Sequence, residues 1–243
     1  MAYVKMDGIF EQLNEFQEWT RLACEYGGEA QAEAICGTVR EALEAARAAM
    51  MAVPADPAQA ALEPNDLEGI RALRPEGPRQ LPMPGDEELV RRMTGAVLGR
   101  FAGCLLGVPV EGLDPKDMQD LARFGGQSYP PVDYWTVVRY PENKHYWTTP
   151  RKCFTRDAMD GVGADDDIVY TLVGLLILEK YGPDFTTADV GEFWKEHLDI
   201  ACTAEKVALE NLNKGIPAEK AGEIDNPYQL WIGADIRSDP WGW

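Results

Sequence analysis

Three consecutive carboxylates, Asp165, Asp166 and Asp167, are the strongest chemical feature of the sequence. They follow the glycine-containing segment 161–164 and precede an apolar run of helical length. Acidic residues at a helix start cap free backbone N–H groups and interact favourably with the helix dipole. Adjacent carboxylates also repel one another, and oxygen-ligated cations such as Mg²⁺ or Ca²⁺ relieve that repulsion. The triplet predicts a helix cap or a divalent-metal site, and the residues alone leave both interpretations open.

A glutamate that could reach the same site follows a helix with an unusual glycine pattern. Its four glycines recur every four residues, which places them on one helical face. They are Gly95, Gly99, Gly103 and Gly107. Because glycine inside a helix costs about 1 kcal/mol relative to alanine, this face predicts a central helix with close backbone packing. Glu111, beyond Pro109, is either an exposed turn residue or an acid brought toward the start of another helix.

The other residues with metal-binding or catalytic side chains show no recognised spacing. His145 lies in an aromatic segment that could border a cleft, and His197, near a predicted helix end, is expected at the surface or in a capping role. Five cysteines at wide spacing, with no C-x-x-C pair, indicate apolar packing rather than disulfides or a zinc site. They are Cys24, Cys36, Cys104, Cys153 and Cys202. No G-x-S-x-G, P-loop or nicotinamide-cofactor motif is present.

Helices must position these residues, because no segment alternates apolar and polar residues with the period of a strand. We predict an all-α fold in three parts: a helical hairpin over 1–52, a linker over 53–85 that contains seven prolines, and one helical domain over 86–243. The predicted helices after the glycine-faced one are Asp165 to Tyr181, Thr187 to His197 and Thr203 to Lys214. The stretch from Asp114 to Asp160 is predicted to be a long, ordered loop region.

Composition limits the class of protein and its partners. With 45% hydrophobic residues the chain can bury a core, and a formal charge of -18 argues against non-specific binding to nucleic acid. The longest charge-free stretches are shorter than the roughly 20 apolar residues of a membrane-spanning helix. The N-terminus is acidic where a secretory signal carries basic residues. We therefore expect a cytoplasmic protein without a membrane segment.

The run 95–111 resembles the opening of the ADP-ribosylglycohydrolase family, whose pattern is close to G-x-x-x-G-x-x-x-G-D-x-x-G-x-P-x-E. Glu111 matches the first metal-ligand glutamate of that family. The segment 164–167 resembles the family motif T-D-D-T/D, whose two central aspartates bind a pair of magnesium ions and fall here on Asp165 and Asp166. The similarity continues through Tyr170-Thr171-Leu172, Pro217, Asn226-Pro227-Tyr228 and 231–237, and it covers about 150 residues from Met93 onward.

The resemblance implies a compact multi-helix bundle that hydrolyses the bond between ADP-ribose and an acceptor, such as a modified protein or a small ADP-ribosyl compound. It implies that Glu111, Asp165, Asp166 and Asp167 are ligands of a two-ion Mg²⁺ site. Glu111 and Asp166 are also the candidates for proton transfer in catalysis.

Three residues near the end of the sequence are candidates for substrate binding. Arg237 could pair with phosphate and Trp241 could stack on adenine, with Asp239 beside them. A buried structural cluster formed by the same residues is the alternative.

Several departures from the family pattern affect these expectations. Cys104 replaces the usual Asp, Ala164 replaces a metal-ligating Thr, and Asp167 replaces the second Thr. The second acidic motif of the family, roughly D-x-D-T, does not occur after Asp167, so the resemblance covers only the N-terminal half of that domain. The chain is then expected to be a fragment, to be completed by a second chain, or to be an inactive ADP-ribose-binding or regulatory protein. A glycosidase for another ribosyl or nucleoside compound is a further alternative.

Overall fold

All regular elements of the structure, a computed structural model that describes residues 6–138 and 151–242, are helices. Helix makes up 64% of the chain, and the prediction of an all-α fold is confirmed. The chain divides into two compact units, Met1–Leu81 and Pro82–Trp243. The predicted boundaries at residues 52 and 85 stay a prediction.

Two long helices form a hairpin in the first unit, where the sequence predicts one. They are α1 (Asp7–Glu25) and α2 (Glu29–Met51), and they join through Gly27, whose φ of +77° favours glycine. The proline-containing segment is not wholly irregular. It holds two short helices, α3 (Pro57–Leu62) and α4 (Leu67–Ala72), each capped by an aspartate side chain.

The described residues of the second unit, 82–138 and 151–242, form a bundle of seven α-helices. These are α5 (Asp86–Gly107), α6 (Pro115–Phe124), α7 (Asp166–Tyr181), α8 (Thr187–His197), α9 (Thr203–Asn213), α10 (Ala218–Ala221) and α11 (Gly233–Gly242). Helix α7 is central and packs against α5, α8 and α11. Its side chains Ile168, Val173 and Ile177 are buried in the apolar core. Burial explains the apolar residues on this face of α7, whereas Leu172, Leu175 and Leu176 on the other face are exposed.

Helix α6 lies where the sequence predicts a loop, so the prediction of a loop over 114–160 is wrong for residues 115–124. The Asp114 carboxylate caps this helix by accepting a hydrogen bond of 2.8 Å from the Asp117 N–H, and Pro115 occupies the first turn. Leu121 is fully buried and packs in a cluster with Trp135. An aspartate cap followed by proline is an ordinary helix start, and it was the signal present in the sequence.

The glycine face of α5 is open, which corrects the predicted close packing. Among the residues that the structure describes, a Cβ atom added at Gly95, Gly99, Gly103 or Gly107 would meet no atom within 4 Å outside the local helix backbone. The helix packs instead through another face, where Cys104 and Leu105 are buried against Ile168 of α7. The glycine spacing therefore marks a surface of this unit and not its core.

The stretch Asp86–Val110 is long and apolar enough, by length and composition, to cross a membrane. This differs from the sequence-based expectation, which considered only uninterrupted apolar runs. The stretch is apolar enough for a membrane span because the 18 residues from Met93 to Val110 contain one charged residue, Arg100. In the structure 22% of the apolar window is buried, and the guanidinium of Arg100 donates hydrogen bonds to the backbone carbonyls of Asp167 and Ile236.

Close backbone approach does occur in this unit, at Gly174 of α7. A Cβ atom there would lie 2.6 Å from Cγ and 2.8 Å from Cβ of Pro240 in α11. We expect Gly174→Ala to lower the free energy of unfolding by about 1–3 kcal/mol, because the added methyl overpacks this contact. The matched variant Gly99→Ala should raise it by up to about 1 kcal/mol, since the methyl meets open space and alanine favours the helix. Urea unfolding of both variants checks this, and a destabilised Gly99→Ala protein would show that the glycine face is packed.

Candidate metal and acid site

The acidic triplet opens helix α7. Asp165 is the N-cap residue, and its carboxylate accepts a hydrogen bond of 3.3 Å from the backbone N–H of Asp167. The helix-cap interpretation is therefore confirmed for Asp165. Capping uses one carboxylate oxygen, so the other oxygen and the side chains of Asp166 and Asp167 can take part in a second function.

Glu111 lies at the same site as the triplet. It follows a 3-10 turn, Val108–Val110, that ends α5. Its Oε2 atom is 2.8 Å from Nη1 of Arg151, and Asp165 Oδ2 is 3.4 Å from the same nitrogen. The two carboxylate oxygens are thus no more than 6.2 Å apart, the sum of these two distances. Glu111 at the end of α5 and Asp165 at the start of α7 therefore lie close together, as the sequence predicts.

Arg151 was not identified from the sequence. No neighbouring motif distinguishes it, and its role depends on the fold, which places its guanidinium between Glu111 and Asp165. The Arg151 side chain is 49% exposed, so the two ion pairs are of the weak, solvent-screened kind. A divalent cation can compete for these carboxylates because it carries twice the charge.

A cleft of about 610 Å³ lies in front of these acids. Besides the triplet, its walls come from the end of α5 and the following turn, including Glu111, from Met118 of α6, and from two further segments, the start of α9 and residues 231–236. The residues from those two segments include Cys202, Glu205, Trp231 and Asp235. The cleft is large enough for a small ligand, since such pockets usually measure about 300–1,000 Å³.

Burial and neighbouring negative charge disfavour ionisation of Asp166 and Asp167. Burial raises the pKa of Asp166, and the hydrogen bond and charge of Asp165 add to this effect. Burial also raises the pKa of Asp167, with a further contribution from Asp166 that the charge of Arg100 partly offsets. A cluster of this kind gains from a bound cation, and perturbed carboxyls in a cleft are typical of functional sites.

These shifts predict how the stability of the metal-free protein depends on pH. A raised pKa means that the folded chain holds the proton more tightly than the unfolded chain does. The stabilising contribution of Asp166 and Asp167 is therefore complete below their unfolded pKa values and is lost as pH rises through the raised folded values. We expect Asp166→Asn with Asp167→Asn to gain stability relative to wild type as pH rises above about 4, the ordinary pKa of an aspartate in the unfolded chain. Urea unfolding at a series of pH values measures this difference, and a constant difference across the series would contradict it.

Cys104 of α5 completes the polar surroundings of the triplet. Its sulfur and carboxylate oxygens of Asp165 and Asp167 all lie within 4.8 Å of one another. Burial, followed by the charges of Asp165 and Asp167, raises the pKa of the thiol to about 12. The thiol is therefore neutral in the metal-free protein.

The three predicted substrate-binding residues do not line the acidic cleft. Arg237 is paired with the buried Glu205 carboxylate, and its guanidinium lies over the ring of Tyr170 at 5.4 Å from the centroid. Asp239 forms an ion pair with Arg100, and the Trp241 ring packs on a phenylalanine ring of the core. Arg237 and Trp241 line a separate pocket of about 290 Å³, and the Asp239 side chain is 45% exposed, so a substrate-binding role of these residues stays a prediction.

Glu205 is a second residue that the sequence did not single out. Its side chain is only 3% exposed, it contacts the acidic cleft, and it holds the Arg237 side chain. A single glutamate in the first turn of a helix is common, so α9 carries no sequence signal that this residue is buried.

The remaining residues considered from the sequence are the two histidines and the five cysteines. Nδ1 of His197 is 3.0 Å from the Phe193 carbonyl oxygen one turn earlier, which confirms its predicted surface or capping role near the end of α8. His145 lies outside the described residues. All five cysteines are free, as predicted, but Cys153 and Cys202 are exposed, so the packing interpretation is wrong for these two.

Comparisons with models of known protein families, with curated proteins and with solved structures give no match. The interpretation of the site therefore depends on its residues and geometry. Its oxygen donors suit a hard divalent cation: Mg²⁺ is held in proteins by one or a few carboxylates together with water and substrate oxygens, at about 2.1 Å. Glu111, with a side chain 66% exposed, is free to rotate toward Asp165 if a cation replaces Arg151 between them.

Proposed function

We propose that this protein is a metal-dependent hydrolase that cleaves the glycosidic bond between ADP-ribose, or a related ribosyl group, and its acceptor. The observation that carries this proposal is the convergence of Glu111 with Asp165, Asp166 and Asp167 on one cleft. The carboxylates come from the ends of two helices that are far apart in the sequence. The motif resemblance supplies the substrate class, and the geometry supports a cation site.

Glu111 and the three aspartates would hold Mg²⁺. The bound ions would supply positive charge that orients the ribose hydroxyls and a water molecule and offsets the charge of the diphosphate. In the reaction the bond between the anomeric carbon and the acceptor breaks, the water oxygen bonds to that carbon, and a proton ends on the acceptor. Asp166 or Glu111 would move that proton, and the raised pKa of Asp166 suits a general acid or base.

The test is release of free ADP-ribose from an ADP-ribosylated protein, with Mg²⁺ and with a chelator. Release that depends on Mg²⁺ and is lost in Glu111→Gln supports the proposal. Release from ribosyl or nucleoside glycosides alone would assign the site to a different glycosidase. If Mg²⁺ binds but no glycoside is cleaved, the protein is a binding or regulatory member of the same fold class.

A second candidate function is action together with a further polypeptide, which would supply additional acidic ligands. The observation that favours it is the exposed apolar surface on the two helices that carry the site. Leu98 on α5 is 61% exposed and Leu175 on α7 is 51% exposed, and the open glycine face of α5 could accept large side chains. Exposed apolar surface of this kind commonly marks an interaction site.

Paired lysine substitutions test this second candidate. Leu172→Lys with Leu176→Lys alters the exposed face of α7 and leaves the acids unchanged. If a covering polypeptide is required, turnover of the complete assembly falls while Mg²⁺ affinity of the isolated chain stays the same. Full turnover by the isolated wild-type chain, unaffected by the substitutions, would rule out this requirement.

A further inference from the structure

The cluster of Cys104, Asp165 and Asp167 differs from a pure carboxylate site. Its three ligand atoms come from two helices and lie within 4.8 Å of one another, and Cys104 is 4% exposed. In the part of the chain that the structure describes, it is the only such group of three His, Cys, Asp or Glu residues. Any cation held between these atoms would have a sulfur neighbour.

The distances fit direct ligation after a small contraction. Zinc binds cysteine sulfur at about 2.3 Å and carboxylate oxygen at about 2.0–2.2 Å, so ligand atoms of one ion lie within about 4.5 Å of one another. Three protein ligands with an open fourth position are also the usual pattern of a catalytic zinc site. The cleft in front of Asp165 and Asp167 provides access to that position.

The sulfur makes this point of the site better suited to a thiophilic metal than to Mg²⁺, so the two kinds of ion would compete for Asp165 and Asp167. Magnesium prefers oxygen ligands in an octahedral arrangement, whereas thiolate selects zinc and other thiophilic metals. When such a metal binds the thiol, a metal–sulfur bond forms and the thiol proton leaves to solvent. Each bound ion therefore releases one proton from Cys104.

We propose that Cys104, Asp165 and Asp167 form a subsite for a thiophilic divalent cation, of the class of Zn²⁺ or Co²⁺, inside the acidic cleft. This inference rests on the proposed metal-dependent function and names the metal class of one part of the site. The competing explanation is that Cys104 only packs in the apolar cluster with Leu105 and Val108.

Cobalt titration of the full chain tests the proposal directly. Co²⁺ bound by a thiolate gives a sulfur-to-metal charge-transfer band in the near ultraviolet, a readout independent of activity. We expect this band in wild type and in Cys153→Ser, and its loss in Cys104→Ser. Cobalt affinity should fall at least about tenfold in Cys104→Ser, the loss that follows even when a residue that only supports a ligand is removed. Cys202→Ser is an essential comparison, because Cys202 also lines the cleft.

The outcomes separate this inference from the proposed function. No band in wild type, or a band lost in Cys202→Ser and kept in Cys104→Ser, overturns the subsite. If Mg²⁺-dependent release of ADP-ribose persists in that case, the proposed function stands. A band that requires Cys104, without release of ADP-ribose under any metal, keeps the subsite and refutes the hydrolase. Cys104→Ala provides a second test if the serine variant does not fold.

Discussion

Asp165→Asn with Asp166→Asn is expected to weaken Mg²⁺ binding by at least about a hundredfold and to abolish turnover, while the chain still folds. The loss follows because an amide offers no negative charge, and metal affinity already falls 10–100-fold when groups that only support ligands are removed. The fold should survive because asparagine caps a helix about as well as aspartate does. Neutralising Asp166 also removes a charge that burial disfavours.

Isothermal titration calorimetry with Mg²⁺ measures the affinity, and circular dichroism shows whether the helices remain. The matched control is Asp184→Asn with Asp199→Asn, which removes the same two charges at exposed positions of the same unit. If the control loses as much affinity as the double variant, the general negative field of the protein attracts the ion. Equal affinity in wild type and the double variant would eliminate the proposed site.

Glu205→Ala should produce the largest loss of stability, about 3–5 kcal/mol, because it leaves the Arg237 guanidinium largely buried without its counter-charge. The Glu205 side chain is 3% exposed and that of Arg237 is 20% exposed. Arg237 also lies over the Tyr170 and Trp194 rings, so it cannot turn to solvent without losing those contacts. The whole start of α9 is expected to loosen.

Chemical unfolding measures this effect, with Glu210→Ala as the control on the exposed side of the same helix. The control should change stability by no more than about 0.5 kcal/mol. Replacing both partners, as in Glu205→Leu with Arg237→Met, should recover most of the loss, because a buried ion pair can be exchanged for apolar contacts. A loss below about 1 kcal/mol in Glu205→Ala would mean that the pair is hydrated.

The helices that the sequence predicted well have strong boundary signals. Helix α8 begins after Thr186, whose side chain and Asp189 form a reciprocal capping box, and its predicted bounds match the structure. The acidic triplet also predicts the start of α7, where Asp165 is the N-cap residue. Helix α6 was missed because the proline, glycine and aromatic content of the surrounding segment concealed an ordinary aspartate cap at Asp114.

Packing partners were harder to predict, because a residue spacing fixes a helical face but not what covers that face. The four regularly spaced glycines of α5 face open space, whereas the single Gly174 of α7 receives Pro240 at close range. Only the tertiary arrangement distinguishes these cases. The same limit explains why Glu205, one acidic residue among many, gave no sign of its burial.

The candidate site was partly accessible from the sequence. Glu111 and the triplet belong to motifs, and the structure places them in one cleft. The proposed substrate role of Arg237 rested on its charge alone, and a guanidinium binds a buried carboxylate as readily as a phosphate. Arg151 could not be identified from the sequence, because its position between Glu111 and Asp165 depends on distant parts of the chain.

The proposed function requires that Glu111 and the acids at the start of α7 bind a divalent cation together. Anomalous diffraction from a crystal grown with Mn²⁺ tests it most directly, because manganese takes the carboxylate ligands that suit magnesium and can be located without ambiguity. We expect a peak in contact with Glu111 and Asp165, with the Arg151 side chain moved away from between them. A crystal with saturating Mn²⁺ in which Arg151 still joins these carboxylates and no peak lies in the cleft would contradict it.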